Sequence, residues 1–201
     1  MVRRLGVLGG TFDPIHLGHL VAASEALHEL SLDRVVLVPT GRPWQKAGYS
    51  DPEDRLIMAT LAAATHPRLT VSRIEIDRRG PTYTVDTLAS LRSFFGDIEL
   101  FFIAGTDAIL ELGTWHRVED LAGLAEMVAV SRPGIDIGGF QAAPGWPRVH
   151  HLAIPGITIS STEIRARVAE GRPIDYLVPA AVVRYIRDRG LYSDAREARG
   201  A

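Results

Sequence analysis

Cysteine is absent from all 201 residues. That excludes disulfides, thiolate nucleophiles and cysteine-based zinc sites together, and it suits a reducing compartment. An excess of one charge is lacking too. Lysine and arginine number 22 against 24 acidic residues, a formal net charge of -2. No overall basic field draws in nucleic acid, so any anionic ligand must be met by local positive charge. No uninterrupted apolar run reaches membrane-spanning length. The opening MVRRLGVLGG sets two arginines before an apolar stretch, as a secretory signal does, but Gly9, Gly10 and Asp13 interrupt it too early. Internal repeats and low-complexity linkers are missing as well. The expectation is a cytoplasmic protein with neither membrane nor nucleic acid as a partner.

What is present is an alternation. Strand-like apolar runs at Arg4 to Gly9, Asp33 to Pro39, Leu69 to Ile76, Ile98 to Gly105, within AEMVAVSRPG, and at Val149 to Ile154 are separated by helical patterns. Helices are expected after Ile15 or His16, after the N-cap Asp51 with Pro52 at the first helical position, over TVDTLASLRSFF, and near Ser161 to Glu170 and Pro179 to Arg189. Continuous apolar strands alternating with helices predict an α/β protein with a doubly wound parallel sheet. One domain is expected over residues 1–192, with 193–201 as a frayed tail. The apolar residues of 177–186 fit either the core or a homo-oligomer interface.

In such folds ligands lie beyond the carboxyl ends of the strands, where strand order reverses. The stretch GGTFDPIHLGHL follows the first strand directly. Gly9 and Gly10 allow close backbone approach to a ligand. His16 and His19 stand three apart at a helix start, where N–H groups and the dipole favour an anion. Neither G-x-G-x-x-G nor G-x-x-x-x-G-K-[ST] occurs, and the zincin spacing is absent. Phosphate binding is the best reading of the pair, with metal ligation or plain core histidines as alternatives.

A second stretch, GITISSTEIRARV, runs from an extended segment into a helix. Ser160 with Glu163 has the form of a capping box, with Ser161 as another cap. Arg165 and Arg167 follow. The stretch reads as a well-capped helix with solvated arginines, or as a second anion site with Arg165 as a bidentate clamp. No G-x-S-x-G elbow surrounds the serines, which argues against a serine nucleophile.

GGTFDPIHLGHL and ISSTEIR together resemble the nucleotidyltransferase superfamily marked by H-x-G-H. RRGPTYTVDTL, AGTDAILELGTWHRVEDL, SRPG and YIRDRGLY narrow the resemblance to the bacterial nicotinate-nucleotide adenylyltransferases, over nearly the whole chain and in order. The resemblance implies a Rossmann-like nucleotidyltransferase fold with a small helical C-terminal part. It implies transfer of the adenylyl group of ATP, bound with Mg²⁺, to nicotinate mononucleotide, giving nicotinate adenine dinucleotide and pyrophosphate in NAD biosynthesis. Catalytic roles fall on His16, His19 and Arg165. ATP contacts fall on Gly9, Gly10, Thr11, Phe12, His16, His19, Gly105, Asp107, Ser160, Ser161 and Arg165, with Lys46 from a loop. No metal site built from the chain's own side chains is implied. Other acceptors (nicotinamide mononucleotide, phosphopantetheine) and a non-catalytic nucleotide-binding regulator are the alternatives.

Nicotinate mononucleotide carries a cationic ring bearing a carboxylate. Trp115 can stack on the ring, or serve as a rim aromatic. Thr84, expected as an N-cap, can donate to the carboxylate. Arg132 in SRPG reaches an anion or sits in a solvent-facing turn. Asp107 contacts ribose or Mg²⁺, or caps a helix. The loop TGRPWQKAGYS departs from the family, many members of which have Pro-Pro-His and a basic residue where this chain has Pro43-Trp44-Gln45-Lys46. Residues Thr40 to Ser50 are expected to form a lid, with Lys46 as a point charge on phosphate. Arg55 is expected on a helix surface, and His66, His116, His150 and His151 as structural or surface residues.

Overall fold

The structure is a computed structural model that describes residues 2–41, 49–131 and 143–193. Among these residues six strands form one all-parallel sheet: β1 (Arg4–Gly10), β2 (Arg34–Pro39), β3 (Leu69–Val71), β4 (Glu99–Gly105), β5 (Glu126–Ser131) and β6 (Val149–Ala153). Their order is β3-β2-β1-β4-β5-β6. The chain therefore winds outward from β1 to one edge, returns to the centre, and winds out to the other edge from β4. That is the doubly wound arrangement the alternation predicted.

Alternation within the strands divides the core in two. Leu5 and Val7 of β1, with Leu100 and Phe102 of β4, point to one face; Leu8, Phe101 and Ile103 point to the other. The second face is covered by α1 (Leu17–Glu29), α2 (Pro52–Ala63), α6 (Ser161–Ala169) and α7 (Ala180–Arg189). The first is covered by α3 (Thr84–Phe95), α4 (Thr106–Leu110) and α5 (Val118–Leu121). Each large apolar side chain fully buried this way contributes about 1.5–3 kcal/mol. α7 settles the question of residues 177–186: Val178, Val182, Val183 and Ile186 are buried in the chain's own core.

Local chemistry explains the element ends. Asp51 caps α2 by accepting from the Glu53 amide at 2.8 Å, with Pro52 next, as its sequence predicts. β3 is shorter than expected, stopping at Val71 rather than Ile76. It is an edge strand with β2 as its one neighbour. Beyond Ser72, whose amide still reaches Leu37, the chain leaves the ladder. Arg73 turns out to Glu53 and Asp77, while Glu75 turns inward. Of residues 193–201, expected as a frayed tail, Ser193 donates to the Gly190 carbonyl at 3.1 Å, and 194–201 lie outside the described residues.

Candidate active site

The winding reverses between β1 and β4, so their carboxyl ends, Gly9–Gly10 and Gly105, open the crevice of the sheet. The loop leaving β1 is held in an unusual shape. Phe12 has φ +51°, a left-handed conformation that costs an aromatic residue energy, and its ring is buried. Any ligand contact by Phe12 is thus through its backbone. The ring lies edge-on to His19, with centroids 5.1 Å apart.

His16 is the N-cap of α1 and not its first helical residue, as the sequence had suggested. Its extended backbone (φ -141°) lets the imidazole fold over the helix end. The His16 amide donates to His19 Nδ1 at 3.2 Å, and the two rings stack with centroids 3.7 Å apart and 28° between planes. The glycine between them has a steric reason: a Cβ on Gly18 would stand 3.0 Å from His16 Nδ1. With Nδ1 of His19 accepting, the neutral ring carries its proton on Nε2, a donor at the helix N-terminus. Stacked rings also send their in-plane lone pairs sideways rather than to one point, which disfavours joint metal chelation.

The pair borders a cavity of about 180 Å³. Gly9, Gly105, His16 and His19, four of the residues expected to contact ATP, line it. Sequence reasoning missed its apolar wall, built from Val130 of β5 and from Ile154, Ile157 and Ile159 beyond β6. Larger hollows of about 530 and 620 Å³ lie elsewhere, between α6 and α7 and beside β2, β3 and α3; neither His16 nor His19 lines them.

α6 fastens the same loop. Its N-cap Ser160 accepts from the Glu163 amide at 3.1 Å. The reciprocal half of the expected capping box is not formed, because Glu163 turns to Arg167 four residues on, at 3.0 Å. Ser161 Oγ donates to the Pro14 carbonyl at 2.9 Å, and Arg165 donates to the Asp13 carbonyl at 2.8 Å. Asp13 itself is fully buried, accepting from Tyr192 Oη at 2.6 Å and from the Ser50 amide at 3.2 Å. Burial, then the neighbouring Asp13 carboxylate, pushes the Tyr192 hydroxyl pKa well up, so it stays a donor.

Arg55 corrects an expectation. It is 1% exposed, not a helix-surface cation. Its guanidinium donates to the carbonyls of Thr40 at 2.6 Å, Thr11 at 2.8 Å, Gly41 at 3.0 Å and Ser50 at 3.2 Å. It thus staples the loop after β1 to residues on both sides of 42–48. Burial pulls its pKa down, opposed first by the Asp13 carboxylate.

Thr84, Trp115 and Asp107 belong to elements on the opposite face of the sheet. Thr84 is the first helical residue of α3, and Tyr83, not Thr84, is its N-cap. Tyr83 stacks on His116 at 4.2 Å, which brings the start of α3 beside Trp115. The half-buried indole of Trp115 meets Phe102 of β4 edge-on at 5.7 Å. Asp107 is exposed in the first turn of α4, directly after Gly105. Lys46, Arg132 and most of the expected lid lie outside the described residues. His150 pairs with Glu126, and His66 accepts from the Arg68 amide, both structural roles.

The profile of the cytidylyltransferase-like family matches residues 7–167. A protein of Saccharopolyspora erythraea named probable nicotinate-nucleotide adenylyltransferase is 50% identical, over 98% of this chain and 93% of its own length. One of the same name from Leifsonia xyli is 53% identical, over 94% of each. The chain belongs to the nicotinate-nucleotide adenylyltransferase family. The fold agrees: a Plasmodium falciparum nicotinic acid mononucleotide adenylyltransferase, solved with NaAD, superposes with a TM-score of 0.77 at 20% identity, covering 94% of this chain and 97% of that one.

Within this family frame, the residues missed from sequence share a cause. Arg55 sits in PEDRLIMATLAA, where a cation directly after two acids in a first helical turn looks solvated. Ile154, Ile157 and Ile159 follow β6 in an irregular segment with no period to mark a lining surface. A weak signal existed: three isoleucines in six residues leading directly into Ser160-Ser161.

Proposed function

We propose that the protein transfers the adenylyl group of ATP to nicotinate mononucleotide, releasing pyrophosphate and nicotinate adenine dinucleotide, as a step of NAD biosynthesis. What carries the reading is the stacked histidine pair at the N-terminus of α1, beside an apolar-walled cavity at the reversal point of the sheet. The named relatives at 50% and 53% identity support the substrate assignment.

The chemistry asks little of side chains beyond placement. The acceptor phosphate is already ionised at neutral pH, so neither a general base nor a covalent intermediate is required. Catalysis is in-line positioning plus stabilisation of charge on the α-phosphate and the leaving pyrophosphate. The adenine enters the cavity against Ile154, Ile157 and Ile159. His19 Nε2–H donates to the α-phosphate as charge develops, with His16, the Gly10 amide and Thr11 beside it. Ser160, Ser161 and Arg165 meet the β- and γ-phosphates while holding the Asp13–Pro14 loop in place. Lys46 and Arg132 add positive charge from the segments they occupy. Trp115 stacks on the pyridinium ring, and Thr84 at the start of α3 donates to its carboxylate.

Mg²⁺ fits as a companion of ATP. Among the described residues no group of three or more His, Cys, Asp and Glu side chains is placed to cage an ion. Magnesium keeps several waters and binds chiefly through substrate phosphates, with one or two carboxylates at most. Asp107 offers an exposed carboxylate at the same sheet edge. When bound, the ion neutralises phosphate charge. Among the described residues no helix is long and apolar enough to cross a membrane, and dependence on ATP suits the cytoplasm.

The test is pyrophosphate release from Mg-ATP with nicotinate or nicotinamide mononucleotide as acceptor. Turnover with the acid, strongly preferred, is expected. Equal rates with both would remove the selective role of Thr84 and Trp115, and release with neither would overturn the reading.

A further inference from the structure

Glu75 is a buried acid that this chemistry leaves unused. It is 9% exposed and lies in the irregular stretch between β3 and α3. Its Oε1 accepts from the Thr87 hydroxyl of α3 at 2.9 Å, inside the protein. The Gly41 amide also faces the carboxylate, while the buried Thr82 Oγ1 makes no hydrogen bond among the described residues. Its backbone is pressed on the end of β2 as closely as chains allow: a Cβ on Gly41 would fall 2.1 Å from the Glu75 carbonyl oxygen. Arg78, three residues on, reinforces the joint, donating to the Asp86 carbonyl at 3.2 Å and to Ser90 Oγ at 3.0 Å. Glu75 and Arg78 thus lock the first turns of α3 to the end of β2.

Those turns carry Thr84, and through the Tyr83–His116 stack they abut Trp115. We infer that Glu75 is a positioning residue for the nicotinate-bearing substrate. Through Thr87 its carboxylate fixes the first turn of α3, and with it Thr84, the donor aimed at the acceptor's carboxylate. The inference rests on the reading of nicotinate mononucleotide as acceptor. Burial pushes the Glu75 carboxyl pKa up, opposed by the Thr87 hydroxyl, Arg78 and the Gly41 amide. A carboxylate so placed is sensitive to the loss of a single donor.

Glu75→Gln tests this, because the amide keeps the shape but replaces one acceptor oxygen with a donor facing other donors. The KM for nicotinate mononucleotide should rise about tenfold, the scale of one hydrogen bond to a charged group. The KM for ATP should stay within about twofold, since the ATP cavity is lined by other elements. Thr87→Val, nearly isosteric, should show the same split more weakly; it decides the matter if Glu75→Gln does not fold. Equal rises in both KM values, or no change in either, in folded protein would overturn the inference and leave Glu75 a structural staple. Wild-type protein that releases no pyrophosphate with nicotinate mononucleotide would instead overturn the acceptor assignment, and this inference with it.

Discussion

His19→Ala separates a phosphate-binding role from a structural one. Two of the imidazole's contacts set the scale of the folding cost: Nδ1 accepts from the His16 amide, and the ring stacks on His16. Losing a capping acceptor costs about 0.5–2 kcal/mol. Losing the ring stack adds about 0.5–1.5 kcal/mol. At roughly 2–4 °C per kcal/mol for a chain of this size, the melting temperature should fall by about 2–14 °C. A domain with about 5–15 kcal/mol of stability stays folded at 25 °C under that loss. Removing one donor aimed at developing charge, by contrast, costs about 10²–10³ in kcat. Pyrophosphate release at 25 °C with saturating Mg-ATP and nicotinate mononucleotide reads the second quantity, and a circular-dichroism melt reads the first. His19→Asn sharpens the comparison. Its amide oxygen can replace Nδ1 at the cap, but nothing replaces Nε2–H, so stability should return without turnover. Turnover of His19→Ala close to wild type, or recovery of kcat with stability in His19→Asn, would refute the reasoning.

Three other perturbations follow from the hydrogen bonds around the site. Arg55→Lys keeps the charge but not the planar fork that serves four carbonyls; it should cost about 2–4 kcal/mol in urea unfolding and lower kcat/KM for ATP, and a neutral effect would show that the staple is dispensable. Tyr192→Phe removes the hydroxyl donor to the fully buried Asp13 and should cost about 1.5–3 kcal/mol, with unchanged unfolding midpoints counting against the network. Burial, then the hydrogen bond to Asp54, pushes the Tyr185 pKa up to about 12 from 10. The folded state therefore keeps a proton that the unfolded chain releases, and stability should fall as pH rises from 10 toward 12. Tyr185→Phe should flatten that decline in denaturation measured across the same range; an identical slope would remove Tyr185 from the account.

How far the residues alone reach is visible element by element. The limits of α3, TVDTLASLRSFF, coincide with its apolar period, and Asp51-Pro52 marks the start of α2 because capping is a contact between near neighbours. GGTFDPIHLGHL announces a ligand loop because glycines after a strand and histidines at a helix start act over a few residues. The resemblance to the adenylyltransferases is of the same local kind, carried by short motifs. β3 was over-read because LTVSRIEI has strand propensity throughout, yet ladder partners run out at an edge. Thr84 and His16 were each misplaced by one position, the usual latitude of a helix end.

The sequence by itself determined the alternation of strands and helices, the caps of α2 and α6 and the histidine pair, since each depends on residues within a turn or two of one another. Only the tertiary structure decided that Arg55 is buried, that Asp13 answers to Tyr192 across 179 positions, that three isoleucines wall a cavity, and that the apolar stripe of α7 is core. A side chain's surroundings depend on which distant segments the fold folds against it. Composition and period record what a residue prefers, and packing alone selects the partner.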